Sequence, residues 1–226
     1  MGNSMLFKID GSPDYAFLTV QVPKGETIRV EAGGMAFMTP QLKLKTKMKG
    51  GFKRMLSGES LFISEYTAEN DSGEIGIAPG TPGDLAHIYL DGKTIYLQNS
   101  AFLASGKDVE VDAKFQGFKK GFFSGEKMFM VKCSGQGDLW FNTYGALLEI
   151  DVNGSHVVDT GYIVAFAEGL TYDVQSVGGM KSMLFSGEGL VCRFSGQGKL
   201  WIQTRLAPAF VRWADKFRRI KSKSNN

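Results

Sequence analysis

One segment is written three times along this chain, and that constrains the fold more than any other feature. Residues 51–62 (GFKRMLSGESLF), 117–129 (GFKKGFFSGEKMF) and 179–191 (GMKSMLFSGEGLV) share a Gly-x-Lys opening and a Ser-Gly-Glu that falls at Ser57, Ser124 and Ser186, 67 and 62 residues apart. The residues after the segment repeat as well: 133–140 (CSGQGDLW) match 194–201 (FSGQGKLW), and 66–77 (YTAENDSGEIGI) are a diverged first version. A unit of this length buries too little apolar surface to be stable alone, so the copies must complete one another's cores. Function then belongs to their shared surfaces and junctions rather than to one catalytic centre.

Within each unit the apolar residues alternate with polar ones, as in residues 15–22 (YAFLTVQV), 27–31 (TIRVE), 86–90 (AHIYL), 94–98 (TIYLQ) and 200–204 (LWIQT). Period two with Gly, Asp, Asn and Ser between the runs is the pattern of short antiparallel strands with one buried face. Asp91-Gly92 and Asn153-Gly154 sit at matching places in the second and third copies and read as hairpin turns, with residues 23–26 (PKGE) in that place in the first. Ser134-Gly135-Gln136-Gly137 and Ser195-Gly196-Gln197-Gly198 read as hairpin turns too, because a phosphate loop needs a helix after its glycines and here a strand comes next. The expected fold is all-β: three homologous antiparallel units, residues 1–80, 81–145 and 146–206, about a pseudo-threefold axis in one compact domain. Residues 207–226 are expected to form a C-terminal basic amphipathic helix and tail.

That tail carries most of the charge asymmetry. From Arg212 onward there are six basic residues and one acid, a net of +5 against +3 for the whole chain, so the body is mildly acidic. The balance disfavours a protein that binds nucleic acid over its whole surface. Within residues 207–223 the apolar Phe210, Trp213, Phe217 and Ile220 recur at helical spacing while Arg212, Arg218, Arg219 and Lys221 fill the other face. The stripe suits insertion into a lipid interface with the charges at the head groups. Docking on the β body or on a neighbouring subunit suits it as well, and is the preferred reading. The longest apolar run, residues 162–167, is six residues, far short of the roughly 20 a spanning helix requires. No secretory signal is visible, and a cytoplasmic protein is expected. Cys133 and Cys192 lie in apolar runs and are expected to be reduced and buried.

The ordered motifs at residues 50–62 (GGFKRMLSGESLF) and 187–204 (GEGLVCRFSGQGKLWIQT) resemble those of the mitochondrial-biogenesis family named for altered inheritance of mitochondria. The resemblance covers nearly everything up to about residue 206. It implies a fold like that of the tryptophan-activated RNA-binding attenuation protein, triplicated within one chain. It implies no established activity; a fungal member has a role in mitochondrial inner-membrane organisation. The absence of a mitochondrial presequence points to a bacterial-type member.

Three constellations are candidates for function. Ser57, Glu59, Ser124, Glu126, Ser186 and Glu188 would form three equivalent sets, and a ring of carboxylates could hold a cation or ligand at the centre. The preferred reading is structural, with Glu paired to Lys53, Lys120 or Lys181. Lys43, Lys45, Lys47 and Lys49 share one strand face and, with Lys53 and Arg54, make the strongest basic stretch of the body, suited to RNA or another polyanion. An edge strand guarded by lysines is the plainer alternative. The tail is the third. His87 and His156 lack metal-ligand spacing, and no nucleophile elbow or metalloprotease motif occurs. The expectation is a non-enzymatic scaffold or adaptor without cofactor or metal. Its partner is another protein, a second copy or an anionic membrane surface, and nucleic acid is not favoured.

Overall fold

The computed structural model describes residues 4–48, 62–112, 130–176 and 190–218. The chain is mostly β. The first stretch holds β1 (Phe7–Asp10), β2 (Phe17–Val22), β3 (Thr27–Glu31), β4 (Met35–Met38) and β5 (Leu42–Met48). The second holds β6 (Phe62–Ala68), β7 (Gly73–Ile77), β8 (Leu85–Asp91), β9 (Ile95–Gln98), β10 (Phe102–Gly106) and β11 (Val109–Asp112). Then come β12 (Met130–Asn142), β13 (Leu147–Asp159), β14 (Ile163–Ala167), β15 (Leu170–Ser176), β16 (Leu190–Gln203) and the helix α1 (Ala207–Asp215). Alternation in the sequence becomes alternation in burial: along β2 Leu18, Val20 and Val22 are buried, and along β3 Ile28 and Val30, with polar neighbours between them.

One pairing scheme recurs three times. An outgoing strand (β2 then β3, β8 then β9, or the whole of β13) lies antiparallel to a returning strand (β6 then β7, or the whole of β12 or β16). Two shorter strands complete each unit: β4, β10 and β14 pair with the last part of the returning strand, and β5, β11 and β15 with its first part. Even the irregularity repeats, since the register shifts between Met35 and Phe37, between Phe102 and Ala104, and between Ile163 and Ala165. A bulge at one place in each unit raises the local twist and re-aims the strand.

The glycine pairs expected to reverse the chain do not reverse it. β8 and β9 run on past Asp91-Gly92 along the same partner β12, and Asn153-Gly154 lies inside the continuous β13. Ser134–Gly137 and Ser195–Gly198 likewise lie inside β12 and β16. These are bends within paired strands, where both strands continue along the same partner. Gly154 stands opposite Gly196, both at positive φ, and Gly92 donates its N–H to the Gly135 carbonyl at 3.0 Å. Bend and hairpin both ask for glycine in the left-handed region, so residue type alone does not separate them. Close approach is a second reason, because a Cβ on Gly196 would stand 2.4 Å from the Gly169 carbonyl oxygen.

The core is three clusters in series. Leu18, Val20, Ile28, Ile75 and Ile77 are joined by Trp140 from β12; Leu97, Phe102, Cys133 and Phe141 by Ile63 and Trp201; and Phe166, Phe194 and Leu200 by Met130. Each cluster borrows a side chain from a neighbouring unit, which makes the units interdependent. β10 and β14 do the same through the backbone, pairing with β3 and β9 of the preceding unit. The sheets are open: the strand orders are β1-β2-β7-β4 and β13-β16-β14-β9-β12-β10-β3-β6-β5, with β11, β15 and β8 branching from the second.

Candidate functional site

The starts of the three units meet beside α1. Residues at that point make the hydrogen bonds Ala16 N–H to Gly83 O, 2.9 Å, and Asp84 N–H to Gly145 O, 3.1 Å. Around them an open cleft of about 710 Å³ is lined by Tyr15, Pro82, Tyr144, Tyr162, Arg205 and, from the helix, Phe210 and Trp213. The base of the helix is fixed by the end of β16. Gln203 donates to the Gly161 carbonyl at 3.1 Å and accepts from the Tyr144 N–H at 3.0 Å, while Thr204 Oγ1 accepts from Ala146 N–H at 2.9 Å. Leu206 packs over Gly161, where a Cβ would come within 3.0 Å of its side chain. Pro208 sits in the first turn, where a missing N–H costs nothing.

Beyond that base the helix has no buried residue. Phe210, Trp213 and Phe217 form a row with ring centroids 5.8 and 5.2 Å apart, and Phe210 meets the body edge-on at Tyr144, 6.3 Å away. They remain 52%, 58% and 70% exposed. Arg212 and Lys216 are exposed beside them, and Arg218 pairs with Asp215 at 3.3 Å. The helix expected over residues 207–223 is seen as α1 and a following turn to residue 218; Ile220, Arg219 and Lys221 lie outside the described residues.

Of the basic stretch, Lys43 and Lys45 are exposed on β5, whose one partner among the described residues is β6, so they do sit on an edge strand. Lys45 is 3.6 Å from Glu69. Lys47 lies on the same strand, and Lys49, Lys53 and Arg54 lie outside the described residues. So do Ser57, Glu59, Ser124, Glu126, Ser186 and Glu188. The strands that flank each copy of that motif are paired with each other, as Met48 with Phe62, Asp112 with Lys132 and Ser176 with Leu190. Among the described residues no three His, Cys, Asp or Glu side chains are grouped to hold a metal.

One polar cluster has no signature in the sequence. Asp138, in β12 and 2% exposed, accepts from Met5 N–H at 2.8 Å and from Ser4 Oγ, and faces His87 Nε2 at 2.7 Å. His87 is in turn packed against Phe7 and Trp140. The serine bonds the carboxylate and not the imidazole, so this is not the relay that activates a nucleophile. It pins the N-terminal arm to the second unit. Burial alone would raise the Asp138 carboxyl, but the hydrogen bonds from His87, Ser4 and Met5 outweigh it and hold the group below its ordinary value. A depressed folded-state value means that the stabilisation is present above the unfolded value near 3.8 and is lost as the pH falls through the folded one. Asp138→Asn is therefore expected to lower stability at pH 7 by roughly 1–3 kcal/mol. Urea titrations across the acid range check this; a deficit that did not shrink toward low pH would refute the assignment. Elsewhere, burial pushes Glu31 up to about 7 and both cysteine thiols up to about 12, so Cys133 and Cys192, free and buried, are unreactive at neutral pH.

Fold and site together define a mostly β protein of repeated pairing scheme with an exposed amphipathic helix near its C-terminus, and no helix among the described residues is long and apolar enough to cross a membrane. Residues 7–205 match the family described as mitochondrial biogenesis AIM24, and the chain belongs to that family. It is similar to an uncharacterized protein of Streptococcus pyogenes serotype M6, 29% identical over 215 residues that span 89% of this chain and 86% of that one. The crystal structure of protein SPYM3_0169 from Streptococcus pyogenes superimposes with a TM-score of 0.80 at 26% identity, covering 95% of this chain and all of that one.

Proposed function

We propose that this protein is a non-enzymatic scaffold that docks on an anionic membrane surface through its C-terminal helix. The observation that carries the reading is the row Phe210, Trp213 and Phe217, left exposed along α1 and the turn after it, while the base of the helix is held by hydrogen bonds. A helix that served to cap the body would turn these rings inward. Its basic residues would add on the order of 1 kcal/mol each near anionic lipid, and the rings would enter the acyl boundary. The platform is three units of one pairing scheme, joined by strand pairing at two junctions.

Vesicle co-sedimentation of the full chain tests it, with anionic and with neutral vesicles. Binding to anionic vesicles is expected, weakened by salt. Trp213→Ala with Phe217→Ala is expected to lower affinity roughly 30- to 100-fold, the equivalent of removing about 2–3 kcal/mol of apolar burial. Trp140 and Trp201 are buried, so a blue shift of emission on adding vesicles reports Trp213. Equal binding by the double variant, or none by the wild type, would sink the proposal and favour the lysines of β5 as the contact surface.

A further inference from the structure

The junction between units is made twice and left open once. β10 pairs with β3, setting Ala104 opposite Val30, Ser105 opposite Arg29 and Gly106 opposite Ile28. β14 pairs with β9 in the same way, with Ala165 opposite Leu97, Phe166 opposite Tyr96 and Ala167 opposite Ile95. The shared bulge makes β4 the counterpart of β10 and β14. The pairing with the returning strand makes residues 153–159 of β13 the counterpart of β3 and β9. A third junction by the same rule would set Phe37 opposite Val158, Met38 opposite Val157 and Thr39 opposite His156. Among the described residues it is not formed: β4 pairs with β7 alone, and β13 with β16 alone.

The consequence is visible in burial. Ala104, Ser105, Ala165 and Phe166 are buried at the two formed junctions, whereas Phe37 and Met38 on β4 are 42% and 37% exposed and Val157 on β13 is 49% exposed. Among the described residues each open edge thus presents apolar side chains and has no strand paired on its free side. The two edges are also unguarded. β5 carries Lys43, Lys45 and Lys47, the usual defence of a free edge, but residues 35–38 (MAFM) hold no charge and residues 153–159 (NGSHVVD) hold a single acid at the end.

We propose that β4 of one chain pairs antiparallel with residues 153–159 of a second copy, in the register of the two internal junctions. The occupant is a second copy because the complementary edge is already specified twice within the chain, and the new contact continues that interface. The contact is heterologous, so it builds a ring if the rotation closes and a filament if it does not. It does not depend on the membrane reading.

The test uses the full chain without vesicles. Light scattering after size exclusion should give a mass that rises with concentration. Met38→Lys and Val157→Lys, both at exposed positions that leave the fold intact, should each weaken association at least about tenfold. Mixed together, the two variants should form a 1:1 dimer and nothing larger, because each retains the edge the other lacks. A chain with Met38→Cys mixed with one with Val157→Cys should yield a disulfide-linked dimer on oxidation, the native thiols being buried. Three results would overturn the proposal: a wild type that stays monomeric at all concentrations; a loss with one lysine variant and not the other; or a disulfide that closes within one chain when both cysteines are placed in it.

Discussion

Gly83→Ala is expected to destabilise the protein by about 3 kcal/mol, the upper end of the usual overpacking cost and the largest effect of any single methyl group among the described glycines. A Cβ there would stand 2.1 Å from the Thr143 carbonyl oxygen and 2.7 and 2.8 Å from backbone atoms of Gly145. All three obstacles are backbone, so no side chain can swing aside. To make room, the loop must give up bonds that tie the units together, among them Ala16 N–H to Gly83 O and Gly145 N–H to Pro82 O, both 2.9 Å. Gly80 is the control: nothing lies within 4 Å of its Cβ, and Gly80→Ala should be neutral within about 0.5 kcal/mol. Thermal melts separate the two, since a loss of that size in a chain of this length lowers Tm by roughly 6–12 °C. Because Pro82 and Gly145 line the cleft under α1, Gly83→Ala should also loosen the seat of the helix. Equal melting of the two variants would mean that this junction is not packed as described.

Phe141→Ala is expected to cost about 3–5 kcal/mol in urea denaturation, the range for truncating a fully buried aromatic. Residues 138–142 of β12 are buried on both faces. Phe141 points into the central cluster and meets Trp201 edge-on at 5.9 Å, while its neighbour Trp140 points the other way, into the first unit's cluster, beside Phe7 and His87. One strand therefore staples two cores, and a cavity on either side loosens a different pair of units. Among the described residues the buried indole N–H of Trp140 has no hydrogen-bond partner. Trp140→Phe should consequently be much milder than Trp140→Ala, because the ring is largely kept and an unsatisfied donor is removed. A cost below about 1 kcal/mol for Phe141→Ala would contradict a continuous core between the second and third units.

The strands are legible in the sequence because a half-buried strand must alternate, as β2 and β3 do. The diverged first copy aligns with the others in space too: Tyr66 faces Ile28 as Cys133 faces Ile95 and Phe194 faces His156. The hairpins expected at Asp91-Gly92, Asn153-Gly154 and the Ser-Gly-Gln-Gly runs are bends instead, since positive φ serves a bend as well as a reversal. In the tail, residue spacing locates the aromatic row, but its exposure depends on what Tyr144 and Leu206 leave uncovered.

The class of fold, the triple writing of one unit and the amphipathic tail are all readable without coordinates, because each follows from periodicity along the chain. Which strands meet is settled in three dimensions alone. Folding brings Ser4, His87 and Asp138 together across more than a hundred residues. Among the described residues it also leaves β4 and β13 without the neighbours that β3, β9, β10 and β14 have. Pairing between distant strands is a matter of register and rotation accumulated over whole units, and no local pattern of residues records it.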